Sequence, residues 1–427
     1  MLIILLTFIA FVISVAVNIP VAIAIGLAAL AWAFLKPGVS VIMVAQKMFT
    51  GLDSFPLLAI PLFMLGGELM NRSTITKRMV DFSDVLVGSL KGGLAHVNVV
   101  VCMFFGGITG SATSETSAIG SVIIPAMIRE GYEDDITVAL TATASVIGVI
   151  IPPSILSVFY AITREVSVAG MFLSGVLPGI LLGFSLMAVN VYYAHTRKYK
   201  AHPRPSLRQA AKATKRAILP LFVAVIIVVG IYGGIFTPTE AAAVSTVYAF
   251  VLGFFVYRDI KPRELYSLIL NSTIVMAVAT FLIPTSVAFS WAITVEQIPQ
   301  QIVALMWSIT QDKILILLIL NLVLLFIGCI TPGIVAILIF APVFAPIGDA
   351  LGMHPLHFGM MFILNVAIGF ITPPVGPCLY VACAINKMEM SKTFKALIPY
   401  FFASVVALLL VTFIPFLTTW LPDTMLK

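Results

Sequence analysis

Residues 144–154 read "ASVIGVIIPPS" and residues 365–375 read "NVAIGFITPPV". Each stretch enters through apolar sequence, passes a glycine (Gly148, Gly369) and stops on a proline pair, Pro152-Pro153 or Pro373-Pro374. A proline has no N–H to donate, and its ring keeps the preceding residue out of the α region, so no helix runs intact through either pair. The carbonyls of Gly148 to Ile151 and of Gly369 to Thr372 are expected to lose their helical partners, and a new helix to begin beyond each pair. What surrounds the two pairs decides which fold can hold broken helices.

The surroundings are those of a membrane protein. The 427-residue chain is 61% hydrophobic and only 10% charged, with mean hydropathy +1.13, against about 25% charge in soluble domains. A span needs roughly 20 mostly apolar residues, which predicts an all-α polytopic protein with about eleven transmembrane helices and two further stretches too interrupted to cross. The opening "MLIILLTFIAFVISVAV" lacks a basic n-region and a small-residue cleavage site and reads as a retained helix. Cys102, Cys329, Cys378 and Cys383 lie in apolar sequence without CxxC spacing, which predicts buried thiols. His354 and His357 in "HPLH" have no acidic or cysteine companions to complete a metal set. Neither HExxH nor a Gly-x-Ser-x-Gly elbow is present, so the chain is not expected to be an enzyme.

The net charge of +6 is not a nucleic-acid signature. Eight of the 24 basic residues fall in "RKYKAHPRPSLRQAAKATKR" (197–216), between two spans and without interleaved aromatics, as expected of a cytoplasmic loop. Walking outward from that loop places Arg258, Lys261 and Arg263 inside, together with Arg72, Lys77, Arg78, Lys91, Arg129, Lys387, Lys392 and Lys395. Lys36, Lys47, Arg164, Lys313 and Lys427 remain outside, and both termini are expected to face outward.

A shift of about 221 to 223 residues superposes the two halves. "FFGGITGS" (104–111) falls on "FIGCITPG" (326–333), with Gly106 on Gly328 and Thr109 on Thr331. "IPAMIREGY" (124–132) falls on "APIGDALGM" (345–353), and "AIPLF" (59–63) on "LIPTS" (282–286). By the charge walk the first copy opens inward and the second outward, so the repeats are inverted. Inverted repeats with interrupted helices are the signature of many secondary transporters, with the binding site where the repeats meet.

Within each repeat a second break precedes the proline pair. "CMFFGGITGSATSETSAIGSVIIPAM" (102–127) is expected to break at Gly106-Gly107 and to form a re-entrant hairpin, because backbone leaves helical pairing at membrane depth only where protein or a wet cavity satisfies it. Thr109, Ser111, Thr113, Ser114, Thr116 and Ser117 crowd its tip with hydroxyl oxygens. Any one of them could simply bond back onto a helix carbonyl; the cluster beside a break suggests a cation cage. The second tip, "GCITPGIVA" (328–336), offers Thr331 with Pro332 and Gly333 and would lean harder on carbonyls. An anionic substrate would lie between the two cages, facing the positive N-terminal ends of the new half-helices. Glu115 is either a coupling group or a brace for the hairpin. Glu68 and Glu240 lie nearer span ends and read as structural, and Arg164 either draws a carboxylate or anchors at the interface.

"GGITGSATSETSAIGSVIIPAM", "IGVIIPPSI", "FTPTEAAAVS" and "GFITPPVG" together resemble the large membrane (M) subunit of tripartite ATP-independent periplasmic (TRAP) transporters, in order and across essentially the whole chain. The resemblance implies a bacterial or archaeal inner-membrane protein that imports organic acids on a sodium gradient, with at least two Na⁺ as coupling ions and no organic cofactor. It implies two partners, a small membrane subunit expected here as a separate chain and a periplasmic substrate-binding protein. It also implies an elevator motion of a transport domain past a scaffold. The expected division is scaffold 1–53; repeat 1 at 54–174, with hairpin 94–130 and broken helix 135–164; central scaffold 175–260; repeat 2 at 261–396, with hairpin 313–348 and broken helix 357–386; and a C-terminal scaffold helix 397–427. Carried over by position, the sodium candidates are Gly107, Thr109, Ser111, Ser114, Gly148 and Ile151, then Gly328, Thr331, Gly333, Gly369 and Thr372. The substrate candidates are Thr113, Pro153, Ser154, Pro374, Val375 and Arg164. N-acetylneuraminate is the first expected substrate and a C4-dicarboxylate the next. The alternative is a stand-alone sodium/anion symporter or sodium/proton antiporter that needs no binding protein.

Overall fold

The computed structural model describes residues 2–201 and 203–426; Lys427, expected on the outer side, lies outside them. The described residues form helices and no strand, with one isolated bridge between Lys91 and Ala201. In chain order the helices are α1 (Leu2–Ala16), α2 (Val21–Leu35), α3 (Val41–Leu52), α4 (Ala59–Asn71), α5 (Ile75–Val87), α6 (Gly93–Thr109), α7 (Ala112–Arg129), α8 (Asp134–Ala144), α9 (Ile155–Thr163) and α10 (Val168–Thr196). There follow α11 (Leu207–Tyr232), α12 (Pro238–Val251), α13 (Pro262–Val295), α14 (Ile298–Ile309), α15 (Lys313–Ile330), α16 (Gly333–Ala350), α17 (Pro355–Gly369), α18 (Pro377–Ile385), α19 (Phe394–Phe413) and α20 (Phe416–Met425).

Local chemistry sets several of these boundaries. At "FTPTE" Thr237 caps α12, Pro238 takes the first helical position, and Glu240 reaches back to the Thr237 N–H at 2.8 Å, a reciprocal capping box. That accounts for the acidic residue structurally. Ser206 and Gln209 do the same for α11 as the basic loop re-enters helix.

The order α6–α7–α8–α9 recurs as α15–α16–α17–α18, each a hairpin followed by a helix broken at its proline pair; both Pro–Pro peptide bonds are cis. Each hairpin packs on the first half of its own broken helix, α6 and α7 on α8 and α15 and α16 on α17. The second arms exchange partners, α7 packing on α18 and α16 on α9. The two repeats thereby close on each other around the breaks.

A second group of helices lies beside this body: α1 on α2, α2 and α3 on α13, α4 on α12, and α11 on α5 and α12. The two groups meet where α4 and α5 contact α6, and where α13 and α14 contact α16. The expected division placed 175–260 and 397–427 wholly in the scaffold. Within those segments α10 packs against α6, α9, α17, α19 and α20, and α19 against α8 and α17, so both helices adjoin the hairpins and broken helices. Small residues permit that packing, since Gly175 of α10 lies directly against the Ile150 carbonyl at the first break.

Among the described residues seven helices are long and apolar enough to cross a bilayer, or eight if α3 and α4, bent by 62° with respect to each other, count as one span. The expected eleven is not reached on that measure because α1, α2 and α17 have 15 residues each. That is about 22 Å at roughly 1.5 Å per residue, short of the roughly 30 Å hydrocarbon core. Conversely α15 and α16, read as hairpin arms, are each long enough to be counted.

Candidate functional site

At the first hairpin the break falls three residues later than the sequence suggested. The helix runs through Gly106 and Gly107 to Thr109, and the chain turns at Gly110, whose φ of +62° favours glycine. Gly106 and Gly107 are small for another reason. A Cβ on Gly106 would lie 2.8 Å from the Cα of Gly148, and one on Gly107 would lie 3.5 Å from the Pro152 carbonyl. The hairpin tip therefore rests backbone to backbone on the broken helix, with Gly110 pressed against the Pro153 carbonyl. The second repeat repeats the contact: Gly369 lies against the backbone of Gly328, and a Cβ on Gly328 would lie 2.9 Å from the Cα of Val366.

Peptide oxygens and hydroxyls converge at the first contact. Thr109 is buried, and its hydroxyl has no hydrogen-bond partner, an unusual state for a buried polar group. Ser111 lies 3.4 Å from Thr113, hydroxyl to hydroxyl. Glu115, one turn into α7, is fully buried with neither carboxylate oxygen hydrogen-bonded; it lies against Gly148 and beside the Cys102 thiol. Ile151 packs against Gly179 of α10. At the second contact Thr331 donates to the Ile327 carbonyl and Thr372 to the Ile368 carbonyl, both at 2.8 Å. Each hydroxyl has thereby used its proton and keeps lone pairs for a cation. The donor sets suit a small hard cation at both places, with a free hydroxyl only at the first.

Between the tips lies a cavity of about 490 Å³. Gly110, Ser111 and Thr113 line it from the first hairpin and Pro332 and Gly333 from the second. Ile155 and Pro377, which begin the two new half-helices, add their ends, and α4 and α13 close it with Met64, Ile274 and Val278. Of the expected substrate residues, Thr113 lines this cavity and the others do not. Ser154 is buried, donates to the Val149 carbonyl at 2.5 Å and caps α9 through the Ser157 N–H. Pro153 is buried behind the first tip, whereas Pro374 and Val375 are exposed at the second break. Arg164 sits past the end of α9 in a 2.7 Å ion pair with Asp349 at the end of α16, away from the cavity lining.

A second cavity of about 250 Å³ adjoins the first and shares Met64, Ser111 and Ile155 with it. Thr109 and Ser114 line it from the tip, Gly67 and Glu68 from α4, and Asn271 and Ser272 from α13. Sequence reasoning read Glu68 as structural and passed over Gly67, Asn271 and Ser272. The available signals were a Gly66-Gly67-Glu68 run and an Asn271-Ser272 pair inside otherwise apolar stretches.

Paired hairpins seated on paired broken helices, with a cavity shared between their tips, define the fold of a membrane transporter. The chain belongs to the DctM component family of the tripartite ATP-independent periplasmic transporters, whose family model matches residues 8–417. It is 39% identical over 384 residues to the C4-dicarboxylate TRAP transporter large permease protein DctM of Pseudomonas aeruginosa, covering 90% of each chain. It is 35% identical over 409 residues to the sialic acid TRAP transporter large permease protein SiaM of Vibrio cholerae, covering 96% of each. The crystal structure of the Alcanivorax borkumensis YdaH transporter superposes with a TM-score of 0.64 at 15% identity, covering 91% of this chain and 90% of that one, which speaks for the fold. The chain is thus a TRAP-type large permease, a membrane protein of substrate import with a binding protein.

Proposed function

We propose that the chain imports a carboxylate-bearing organic anion across the inner membrane, driven by at least two Na⁺. It would receive the anion from a periplasmic binding protein and act with a small membrane subunit, the hairpin body moving past α4, α12 and α13 as an elevator. The observation that carries this reading is the cavity of about 490 Å³, lined at once by both hairpin tips, both half-helix starts and two helices of the other group. The cation cages are Thr109, Ser111 and Ser114 over the Gly148–Pro153 carbonyls, and Thr331 and Thr372 at the Gly328–Gly369 contact. The anion would lie between them, against Thr113 and the N-terminal ends of α9 and α18, where unpaired N–H groups favour negative charge.

The charge balance fits coupling. An inward-negative potential acts with about 2.3 kcal/mol per charge per 100 mV. It opposes import of an anion alone, and two Na⁺ with a monoanion reverse the sign. Relatives named for C4-dicarboxylates and for sialic acid stand at similar identity, as expected if the binding protein makes most of the selection. N-acetylneuraminate is the first substrate to test and a C4-dicarboxylate the second.

Proteoliposomes holding the chain with its small subunit test the reading. Uptake of labelled anion is expected only with inward-directed Na⁺ and the cognate binding protein outside. Uptake that persists in K⁺ alone refutes coupling, and full uptake without the binding protein establishes the stand-alone symporter instead.

A further inference from the structure

The smaller cavity adds, beside the oxygens of the first cage, residues that neither cage uses. Its far wall is formed by Glu68 of α4 and by Asn271 and Ser272 of α13. On its near wall, the first tip contributes Thr109, Ser111 and Ser114. Two of these residues are buried, Ser272 at 7% exposure and Thr109 at 2%, and neither hydroxyl has a hydrogen-bond partner. Buried polar atoms are rarely left so, and here both orphans border one cavity large enough for a hydrated ion.

The location gives the cavity a direction. Glu68 is partly exposed, and one turn further along α4 lies Arg72, on the side the basic residues mark as cytoplasmic. The central cavity joins the smaller one at Met64, Ser111 and Ile155. The path from the first cage toward the cytoplasm thus passes the carboxylate. A negative charge there repels an anionic substrate and attracts a cation.

We propose that Glu68, Asn271 and Ser272 form, with the outer oxygens of Thr109, Ser111 and Ser114, a separate cation station on the α4–α13 wall. It holds a partly hydrated Na⁺ as the ion leaves or reaches the first hairpin cage. This rests on the sodium-coupled reading above, and it adds a site on helices that contribute no ligand to either cage. Because α4 and α13 lie outside the hairpin body, the Glu68, Asn271 and Ser272 half of the station stays in place when the hairpin moves, while Thr109, Ser111 and Ser114 leave with the tip. The station therefore acts on ion exchange at the cytoplasmic side only.

The experiment uses the purified full-length chain with its small subunit in nanodiscs and measures ²²Na⁺ binding by scintillation proximity, so no substrate has to be known. Glu68→Gln is expected to raise half-saturating Na⁺ at least threefold, and Glu68→Asp to stay within twofold of the parent. Glu68 also pairs with Arg72 at 3.5 Å, so Arg72→Gln serves as the control. It breaks the pair but keeps the carboxylate, and should leave half-saturation unchanged or lower it. Unaltered binding in Glu68→Gln, or equal weakening in Arg72→Gln, overturns the station. Absence of Na⁺ binding by the parent overturns the coupled reading along with it, whereas binding that is lost in Thr109→Val but kept in Glu68→Gln overturns the station alone.

Discussion

The hydroxyl of Thr109 is what distinguishes the proposed cage from a mere kink. It is buried without a partner, whereas Thr331 at the matching position donates to a carbonyl of its own helix. Replacing Thr109 by Val keeps the shape and removes an oxygen that no protein group uses, so the fold should hold its melting temperature. On the proposed sodium-coupled reading the half-saturating Na⁺ for uptake should rise severalfold, more than for Thr331→Val, where carbonyls would carry more of the coordination; equal responses would sink the asymmetry. A different residue governs acid stability. Glu296, just past the end of α13, accepts from Lys36 and from the Trp32 indole, each at 2.9 Å, and these bonds, Lys36 first, hold its pKa below the ordinary carboxylate value. A group depressed in the folded state stabilises fully above its unfolded pKa, about 4.3 for a glutamate, and loses that contribution as pH falls through the folded value. Thermal melts in detergent should therefore show Glu296→Gln less stable than the parent at pH 7. The gap should close as pH drops below about 4.3; a constant gap down to pH 3 would remove Glu296 from the account.

At the scale of elements, each hairpin is tied to its broken helix by an asparagine on its first arm. Asn98 of α6 donates to Thr141 of α8 at 2.7 Å. Asn321 of α15 accepts from Asn365 of α17 at 2.7 Å and donates to Thr412 of α19 at 3.1 Å. Leaving a buried amide short of partners costs about 1–3 kcal/mol, whereas removing both partners together costs far less. Asn321→Leu and Asn365→Leu should thus each lower the melting temperature, and the double variant should fall well short of their sum, a coupling that a thermodynamic cycle reads directly. Additive losses would mean that the amides act independently. The breaks were legible in the sequence, because proline chemistry is local and both pairs do interrupt their helices. The hairpin turn was misread by three residues: Gly106-Gly107 looks like a flexible break, but its smallness serves contact with Gly148, a partner 42 positions downstream that local spacing does not reveal. For a similar reason Ser154 does not line the cavity. Its hydroxyl is spent on capping α9 and on the Val149 carbonyl, a choice fixed by backbone geometry. The basic loop held another surprise. Tyr199 and Arg197 bind Glu133, beyond the first hairpin, so the start of this charge run pins an element.

For the whole molecule, the proposed elevator rests on the seam between the two helix groups. Repeat order and the family were readable from the sequence, whereas the packing partners of α10, α19 and α20 were not, since an apolar helix packs equally well by composition on either group. At the seam Gly67 of α4 meets Thr109 of the first tip so closely that a Cβ on Gly67 would lie 3.5 Å from the Thr109 Cβ. That separation lies within the roughly 3.5–4.5 Å range of natural disulfides. Combining Gly67→Cys with Thr109→Cys should therefore give a bond on mild oxidation, while Cys102, Cys329, Cys378 and Cys383 stay buried. If the hairpin body carries substrate by moving past α4, the bond holds it in this arrangement. Uptake should then fall to background after oxidation and return with reductant to the level of Thr109→Cys alone, the comparison that discounts the lost hydroxyl. Binding of ²²Na⁺ should be far less affected, because the lock stops a motion and leaves the remaining cage oxygens in place. Complete cross-linking with undiminished uptake would mean that the first tip never leaves α4, and the elevator would have to be abandoned for a local gate opening at the tips.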